Sequence, residues 1–258
     1  MVRSGGDSVV GEGANWFDQG GDAYARYRPD YPDTLAQFLA TAAPDRRLAI
    51  DVGCGNGQFT RQLGDYFDAA VGFDPSADQI AHAAPHPRVR YAIAPAERLD
   101  VEDGSASLIT AAQAAHWFDL PRFYAEVRRV AIPGAAIALV SYGVARLEPD
   151  LDARFQTFYH DEIGRYWPPE RKLVDTGYAD MDFPFRPLAA PDLAIQRSWP
   201  VDAFLGYIST WSAVRRAREA GKDDVLVAFS RDLRALWGDP GTARPILWPI
   251  NMRLGIVD

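Results

Sequence analysis

The sequence predicts an α/β fold, a three-layer sandwich with helices on both faces of a mostly parallel sheet, and three observations carry that prediction. Short apolar runs alternate with amphipathic segments of helical period through the first half of the chain. A glycine-rich turn, Asp51-Val52-Gly53-Cys54-Gly55-Asn56-Gly57, follows directly on one such run. Turn formers, among them Pro85, Pro87, Gly104 and the pair Pro133-Gly134, punctuate the alternation. Strands alternating with helices make βαβ units, and right-handed crossovers assemble these into a parallel sheet that takes ligands beyond the strands' carboxyl ends.

In chain order, the opening MVRSGGDSVVGEG has too few consecutive apolar residues for a signal peptide, so residues 1–14 read as a flexible tail. Asp33 is placed to cap a helix carrying Leu35, Phe38 and Leu39 on one face. Leu48 to Val52 is too short for a helix and ends at glycines, which predicts a buried strand. Phe59, Leu63 and Phe67, at steps of four, predict an amphipathic helix packed on the sheet. Ala69 to Phe73 is the next strand, and Ser76 with Gln79 forms a capping box for a helix that Pro85 and Pro87 end. Val89 to Ile93 and Ser107 to Ala112 are further strands, with a turn at Asp103-Gly104 between them. A helix from Pro121 to Val130 follows, and Pro133-Gly134 turns the chain into a strand over Ala135 to Ser141.

From Glu148 to Ala190 the alternation gives way to prolines and large aromatics: Phe155, Phe158, Tyr159, Tyr166, Trp167, Phe183 and Phe185. We read residues 148–190 as a cap that covers the site, inserted in a core of residues 15–147 and 191–258. The alternative is a helical cluster that only packs. Leu193 to Trp199 and Ile246 to Val257 return as strands. Between them Val225, Leu226, Phe229, Leu233 and Leu236 form a helical stripe that Gly238 ends.

Composition narrows the partners. Of 258 residues 48% are hydrophobic, enough for a sizeable core, and the net charge is -8, which repels phosphate backbones and anionic membranes. A nucleic-acid or membrane partner is therefore disfavoured and a small-molecule substrate favoured. No run approaches the length that spans a bilayer. Cys54 is the single cysteine, so no intrachain disulfide forms and the default expectation is a cytoplasmic protein.

The glycine turn carries the chemistry. Glycines at alternate positions let the chain leave a strand sharply and bring its backbone against a ligand. The spacing is wrong for a dinucleotide, whose fingerprint needs a third glycine one residue later to set pyrophosphate on the helix N-terminus; Gln58 stands there. Asp51, two residues before the first glycine, suits a ligand bearing an ammonium group better than a diphosphate. Asp74, at the end of the second strand, is placed to accept hydrogen bonds from both hydroxyls of a ribose.

With these features the chain resembles the class I S-adenosylmethionine-dependent methyltransferases, in the methyltransferase type 11 group, over roughly Tyr24 to Gly143. YARYRPDYP (Tyr24 to Pro32), QAAHWFD (Gln113 to Asp119) and YISTWSA (Tyr207 to Ala213) resemble the trans-aconitate methyltransferase-like subgroup. The resemblance implies a Rossmann-like, seven-stranded sheet whose last strand is antiparallel, and transfer of a methyl group from S-adenosylmethionine to a small-molecule acceptor. It implies Gly53, Cys54, Gly55 and Gly57 beside the cofactor, Asp74 and Pro75 at its ribose, and Ala96 and Glu97 at its adenine. Pro95 stands where the family often has Asp or Ser and removes that side-chain contact. It further implies that the N-terminal motif folds over the cofactor, with Arg28 on its carboxylate and Tyr24 nearby.

Gln113 and His116 follow the fourth strand, where an acceptor should meet the methyl group. His116 is the candidate general base, or else a residue that orients substrate; a carboxylate nucleophile would need no base. Tyr27, Trp117, Tyr207 and Trp211 are candidate acceptor contacts, and Arg165 and Arg171 are candidate holders of an acceptor carboxylate. His82 and His86 have the spacing of a metal pair, but Pro85 interrupts the helix between them and no cluster completes a site, so no metal is expected. The rivals are a binder of the same cofactor that is non-catalytic or uses it for another reaction, and a nicotinamide-dependent oxidoreductase. The segment AAQAAHWFD lacks the Asn/Asp-Pro-Pro-aromatic element that adenine methyltransferases of nucleic acids use on a flipped base.

Overall fold

The structure, a computed structural model, describes residues 27–258; Tyr24 and the N-terminal tail lie outside the described residues. The elements in order are α1 (Asp33–Ala42), β1 (Leu48–Val52), α2 (Gln58–Tyr66), β2 (Ala69–Asp74), α3 (Ala77–Ala81), β3 (Val89–Ile93), β4 (Ala106–Ala112), α4 (Leu120–Val130) and β5 (Ala131–Tyr142). Next come α5 (Pro149–Thr157), a π-helical turn (Phe158–Glu162), a 3-10 turn (Gly164–Tyr166), α6 (Arg171–Asp175), β6 (Arg186–Pro187) and β7 (Leu193–Trp199). The chain then forms α7 (Val201–Ser209), α8 (Ser212–Glu219), α9 (Asp223–Trp237) and β8 (Arg244–Ile256).

The sheet runs β3-β2-β1-β4-β5-β8, with β1 to β5 parallel and β8 antiparallel to β5. This is the α/β, Rossmann-like fold that the sequence predicts, with its late strands antiparallel. The outermost position is filled in two pieces: β7 pairs with the first half of β8, and the two-residue β6 with its end. The strands at the centre are buried on both faces, as parallel strands under two helical layers must be. Their alternation sorts side chains between two apolar clusters. Ala49, Leu108, Ala136 and Ala138 face Leu35, Leu39, Phe59, Leu63 and, further on, Phe155, Phe158, Phe204 and Phe229. Ile50, Ile109, Ile137 and Leu139 face Phe123, Val127 and Val130 of α4, together with Val174, Tyr178 and Phe185.

Four local expectations are corrected. Asp33 is the first residue of α1, not its cap; Pro32 holds that position and the Asp33 carboxylate accepts from the Tyr66 hydroxyl instead. Asp119 caps α4 by accepting from the Arg122 N–H, so the helix starts at Leu120, one residue before Pro121. Pro133-Gly134 is a bulge within β5 rather than a turn before it: the pairing with β4 jumps from Ala106↔Ala131 to Leu108↔Ala136, and Gly134 takes φ 79°. The stripe of α9 ends on buried Trp237, while Leu236 is exposed. In the segment after residue 148, β6 already belongs to the sheet edge, because Arg186 pairs with Ile256.

Candidate active site

Strand order reverses between β1 and β4, which pair with each other while their crossovers lead to opposite sides. A crevice opens at the carboxyl ends of strands at such a point. The glycine loop folds into it. Gly53 leaves β1 at φ 72°, and its N–H and that of Cys54 both donate to the Phe73 carbonyl of β2, at 2.7 and 3.0 Å. A Cβ on Gly53 would sit 2.4 Å from the Ala114 Cβ, so the loop can lie against the end of β4 only because no side chain intervenes. The loop then closes with the Gly57 N–H on the Cys54 carbonyl at 3.0 Å.

Two carboxylates face this loop. Asp51, buried in β1, accepts from the Thr60 hydroxyl at 2.7 Å and from the Thr110 hydroxyl at 2.8 Å. Burial nevertheless dominates and raises its pKa to about 6. Asp74 closes β2, accepting from the Gly55 N–H at 2.8 Å and the Ser76 N–H at 2.9 Å. Burial also raises its pKa, against these two hydrogen bonds. Each oxygen keeps a lone pair, so the Asp74 carboxylate is oriented by backbone and still able to accept from a ligand.

One pocket contains both carboxylates with Gly53, Cys54, Gly55, Pro75, Gln113, Trp117 and Arg28. Arg28 donates through Nη1 to the Tyr142 hydroxyl at 3.0 Å, and its guanidinium lies 5.5 Å from the Tyr207 ring centroid. Gln113 donates through Nε2 to the Tyr142 carbonyl at 3.2 Å while its backbone takes φ 56°. Left-handed backbone at a non-glycine residue costs about 1–3 kcal/mol and persists where surroundings enforce it, commonly at functional sites. Among the described residues Tyr178, at φ 63°, is the other such case. Trp117, 38% exposed, stands at the pocket's mouth.

Comparison with known proteins agrees with this geometry. A methyltransferase domain model matches residues 50–139, which hold the loop and both carboxylates. A Dictyostelium discoideum protein assigned as a methyltransferase is 38% identical over 82% of this chain and 82% of its own length. The chain belongs to the class I S-adenosylmethionine-dependent methyltransferases. A solved type II methyltransferase structure from Anaeromyxobacter dehalogenans is 47% identical, covers 90% of this chain and 98% of its own, and superposes with a TM-score of 0.84. A methyltransferase of Mycobacterium tuberculosis is 34% identical over 46% of this chain and 48% of its own length.

In this methyltransferase several predicted site residues stand elsewhere than expected. Gly57, at φ 80°, does not line the pocket; a Cβ there would meet the Tyr91 hydroxyl at 2.2 Å, so this glycine serves the packing of β3 on the loop. Ala96 is buried and Glu97 accepts from the Asp119 N–H at 3.0 Å, fastening the loop after β3 to the cap of α4; neither lines the pocket. Gln79 and Phe118 line it instead. His116 also lies off its wall, with Nδ1 3.0 Å from the Tyr178 hydroxyl and its ring 4.9 Å from that of Trp117. Burial, with the nearby Arg171 charge, lowers its pKa to about 3.

Tyr27, Tyr207 and Trp211 do not line the pocket, although Tyr207 packs against its Arg28. Gly206 lets α7 lie on the Tyr27 ring, which a Cβ would meet at 2.4 Å. The buried Tyr207 hydroxyl accepts from the Trp248 indole at 3.2 Å, and Trp211 packs edge-on to Tyr207, Phe155 and Tyr159 and at a tilt to Trp167. His82 and His86 take separate partners, the Asp78 carbonyl and the Asp65 carboxylate. Among the described residues no group of three or more His, Cys, Asp or Glu is placed to hold a metal, and no helix is long and apolar enough to cross a membrane. Tyr31, Asn56, Phe59 and Tyr142 also line the pocket and escaped the sequence reading. Phe59 and Tyr31 read there only as apolar-face and motif residues, and Tyr142 reaches the site solely because β5 lies beside β4.

Proposed function

We propose that the pocket beyond β1 and β4 holds S-adenosylmethionine and that a small-molecule acceptor approaches it from the side of His116, Tyr207 and the segment 148–190. The observation that carries this reading is the meeting, in one pocket, of the glycine loop, the backbone-oriented Asp74, the buried Asp51 and the cationic Arg28. When bound, the cofactor supplies a methyl group made electrophilic by its sulfonium. Asp74 holds the ribose hydroxyls, Arg28 the carboxylate, and Asp51 favours the ammonium group. Gln113, pinned to the Tyr142 carbonyl, fixes the pocket wall where acceptor and methyl meet. The residues act by orienting the reactants and excluding water.

His116 we read as a positioning residue. A group whose pKa lies near 3 is neutral at working pH and a weak proton acceptor, and its Nδ1 is engaged with Tyr178. The cap reading of residues 148–190 gains support from α5, α6 and the turns between them, which bring Tyr159 and Trp167 against Trp211. Assignment to the trans-aconitate methyltransferase-like subgroup rests on the three motifs already quoted. Its support is that Arg28 of the first lies over Tyr207 of the third. The net charge of -8 favours a small-molecule acceptor over nucleic acid, and the single cysteine fits a cytoplasmic location.

The test is acceptor-dependent release of S-adenosylhomocysteine, followed across panels of organic acids, phenols, amines and thiols. The reading predicts turnover with at least one class and none without acceptor. Tight cofactor binding with no turnover on any panel would instead support a non-catalytic or non-methylating protein.

A further inference from the structure

Arg171 is a mostly buried cation whose partners use only part of it. It opens α6, only 17% of its side chain is exposed, and its guanidinium packs 4.8 Å from the Trp167 ring and 5.8 Å from the Tyr159 ring. Among the described residues its hydrogen bonds leave from Nε, to the Tyr159 hydroxyl and the Asp175 carboxylate, each at 3.0 Å. The two terminal nitrogens, which form the planar fork suited to a carboxylate, make none with those residues. On the ring against which the guanidinium packs, the Trp167 indole N–H is buried and finds no hydrogen-bond partner among the described residues. An unmet buried donor costs about 1–3 kcal/mol unless a ligand supplies the acceptor.

The position of this donor set is as telling as its chemistry. The Arg171 charge acts on His116, Tyr178 and Tyr207. His116 in turn touches Trp117, and Tyr207 lies under Arg28; Trp117 and Arg28 are walls of the cofactor pocket, which Arg171 itself does not line. Arg171 therefore stands behind the pocket walls Trp117 and Arg28, separated from them by His116 and Tyr207; the rings of Trp167 and Tyr159 pack on it, and Trp211 joins those rings to Tyr207. Arg165, the other arginine of this segment, turns outward onto the exposed Tyr166 hydroxyl.

Resting on the methyltransferase reading above, we propose that the acceptor is a flat, unsaturated or aromatic carboxylic acid whose carboxylate sits on the Arg171 fork and the Trp167 N–H as a handle, while a different heteroatom is methylated. A carboxylate held by a guanidinium is charge-neutralised and a poor nucleophile, and this seat is remote from the methyl. The reacting heteroatom's lone pair forms the new bond to the methyl carbon, the methyl–sulfur bond breaks onto sulfur, and the heteroatom's proton passes to water.

The experiment compares hydroxybenzoates and hydroxycinnamates with their primary amides, in wild type and in Arg171→Gln, Arg171→Lys, Trp167→Phe and Arg165→Gln. Wild type is expected to favour acids over amides, to yield methyl ethers rather than esters, and to lose about 10–150-fold in kcat/KM for acids on Arg171→Gln, the worth of a charge-assisted hydrogen bond. Arg171→Lys should recover part of that loss, Trp167→Phe should lose less, and Arg165→Gln should lose nothing. S-adenosylhomocysteine affinity and melting temperature, measured alongside, separate lost recognition from lost folding. Equal turnover of acids and amides, ester products, or an acid preference that survives in folded Arg171→Gln would overturn the proposal while leaving methyl transfer intact. Absence of S-adenosylhomocysteine binding in the wild type would instead overturn the reading on which it rests.

Discussion

The glycine loop after β1 and the aromatic cluster around Arg171 are neighbours at the same end of the sheet, built by opposite means. The loop is local: Asp51, Gly53, Gly55 and Asp74 come from one strand–turn–helix–strand unit, and Gly53, Gly55 and Asp74 are placed by a backbone conformation or a backbone hydrogen bond. The cluster is assembled from afar, with Arg171 on α6, Trp211 beside α8, Tyr207 on α7 and His116 after β4. The loop tolerates almost no change because its shape is its function. In the cluster a side chain can change while the fold survives, which is what acceptor choice requires. This difference orders the expected effects of substitution.

The largest effect is expected at the loop. Gly53→Val would force a β-branched side chain into left-handed backbone and into the Ala114 methyl. The expected cost is about 3 kcal/mol or more, a fall of about 10 °C in melting temperature, with cofactor binding lost. Calorimetry checks both, and a variant that melts and binds like wild type breaks the picture of a rigid loop.

Asp51→Asn should move stability and binding in opposite directions. Raised to about 6, the Asp51 pKa exceeds its unfolded value, so the stability of the unliganded protein falls as pH rises from about 4 through 6 and stays lower above. Ionisation over the same window favours the cofactor's ammonium group, so affinity rises. The amide variant should flatten both curves, melt about 3–6 °C higher at neutral pH and bind S-adenosylhomocysteine about tenfold more weakly. A lower melting temperature with unchanged affinity would assign Asp51 a purely structural role.

His116→Gln tests the cluster. Because His116 is already neutral across the physiological range, its loss should raise KM for the acceptor and change kcat less than about tenfold, leaving the pH–rate profile without a new limb. A limb near pH 6 to 7 that disappears in the variant would make His116 a base after all. The smallest effect belongs to Glu97→Gln, which weakens one hydrogen bond to the Asp119 N–H. About 1 kcal/mol of stability and no change in S-adenosylhomocysteine affinity are expected, whereas weakened binding would return Glu97 to the cofactor site.

The same contrast explains what was legible in the sequence. The limits of β1, Leu48 to Val52, read correctly because a buried parallel strand is a bounded apolar run, and the Ser76 cap read correctly because capping is local. Asp33 misled because its carboxylate finds a distant tyrosine, Tyr66. Spacing singled out Asp51, Gly53, Gly55 and Asp74, and the resemblance added Cys54 and Pro75; all six line one pocket. Gly57, singled out with the same loop, lies off the pocket against Tyr91, which arrives from β3. Sequence spacing held no trace of the neighbours of His116, because Tyr178 and Arg171 come from a segment more than fifty residues away that has no regular period. Likewise it offered Arg165 and Arg171 as equals, and only the packing of Trp167 and Tyr159 turns one inward.

The account's central claim is that the Asp74 carboxylate, oriented by the Gly55 and Ser76 amides, holds the cofactor in the pocket beyond β1 and β4. Calorimetric titration of S-adenosylhomocysteine into wild type and Asp74→Ala tests it most directly. One-to-one binding by the wild type, weakened about 100-fold or more in a variant that still melts cooperatively, is the predicted result; two charge-assisted hydrogen bonds are worth that much. Equal affinity of the two proteins would contradict the claim.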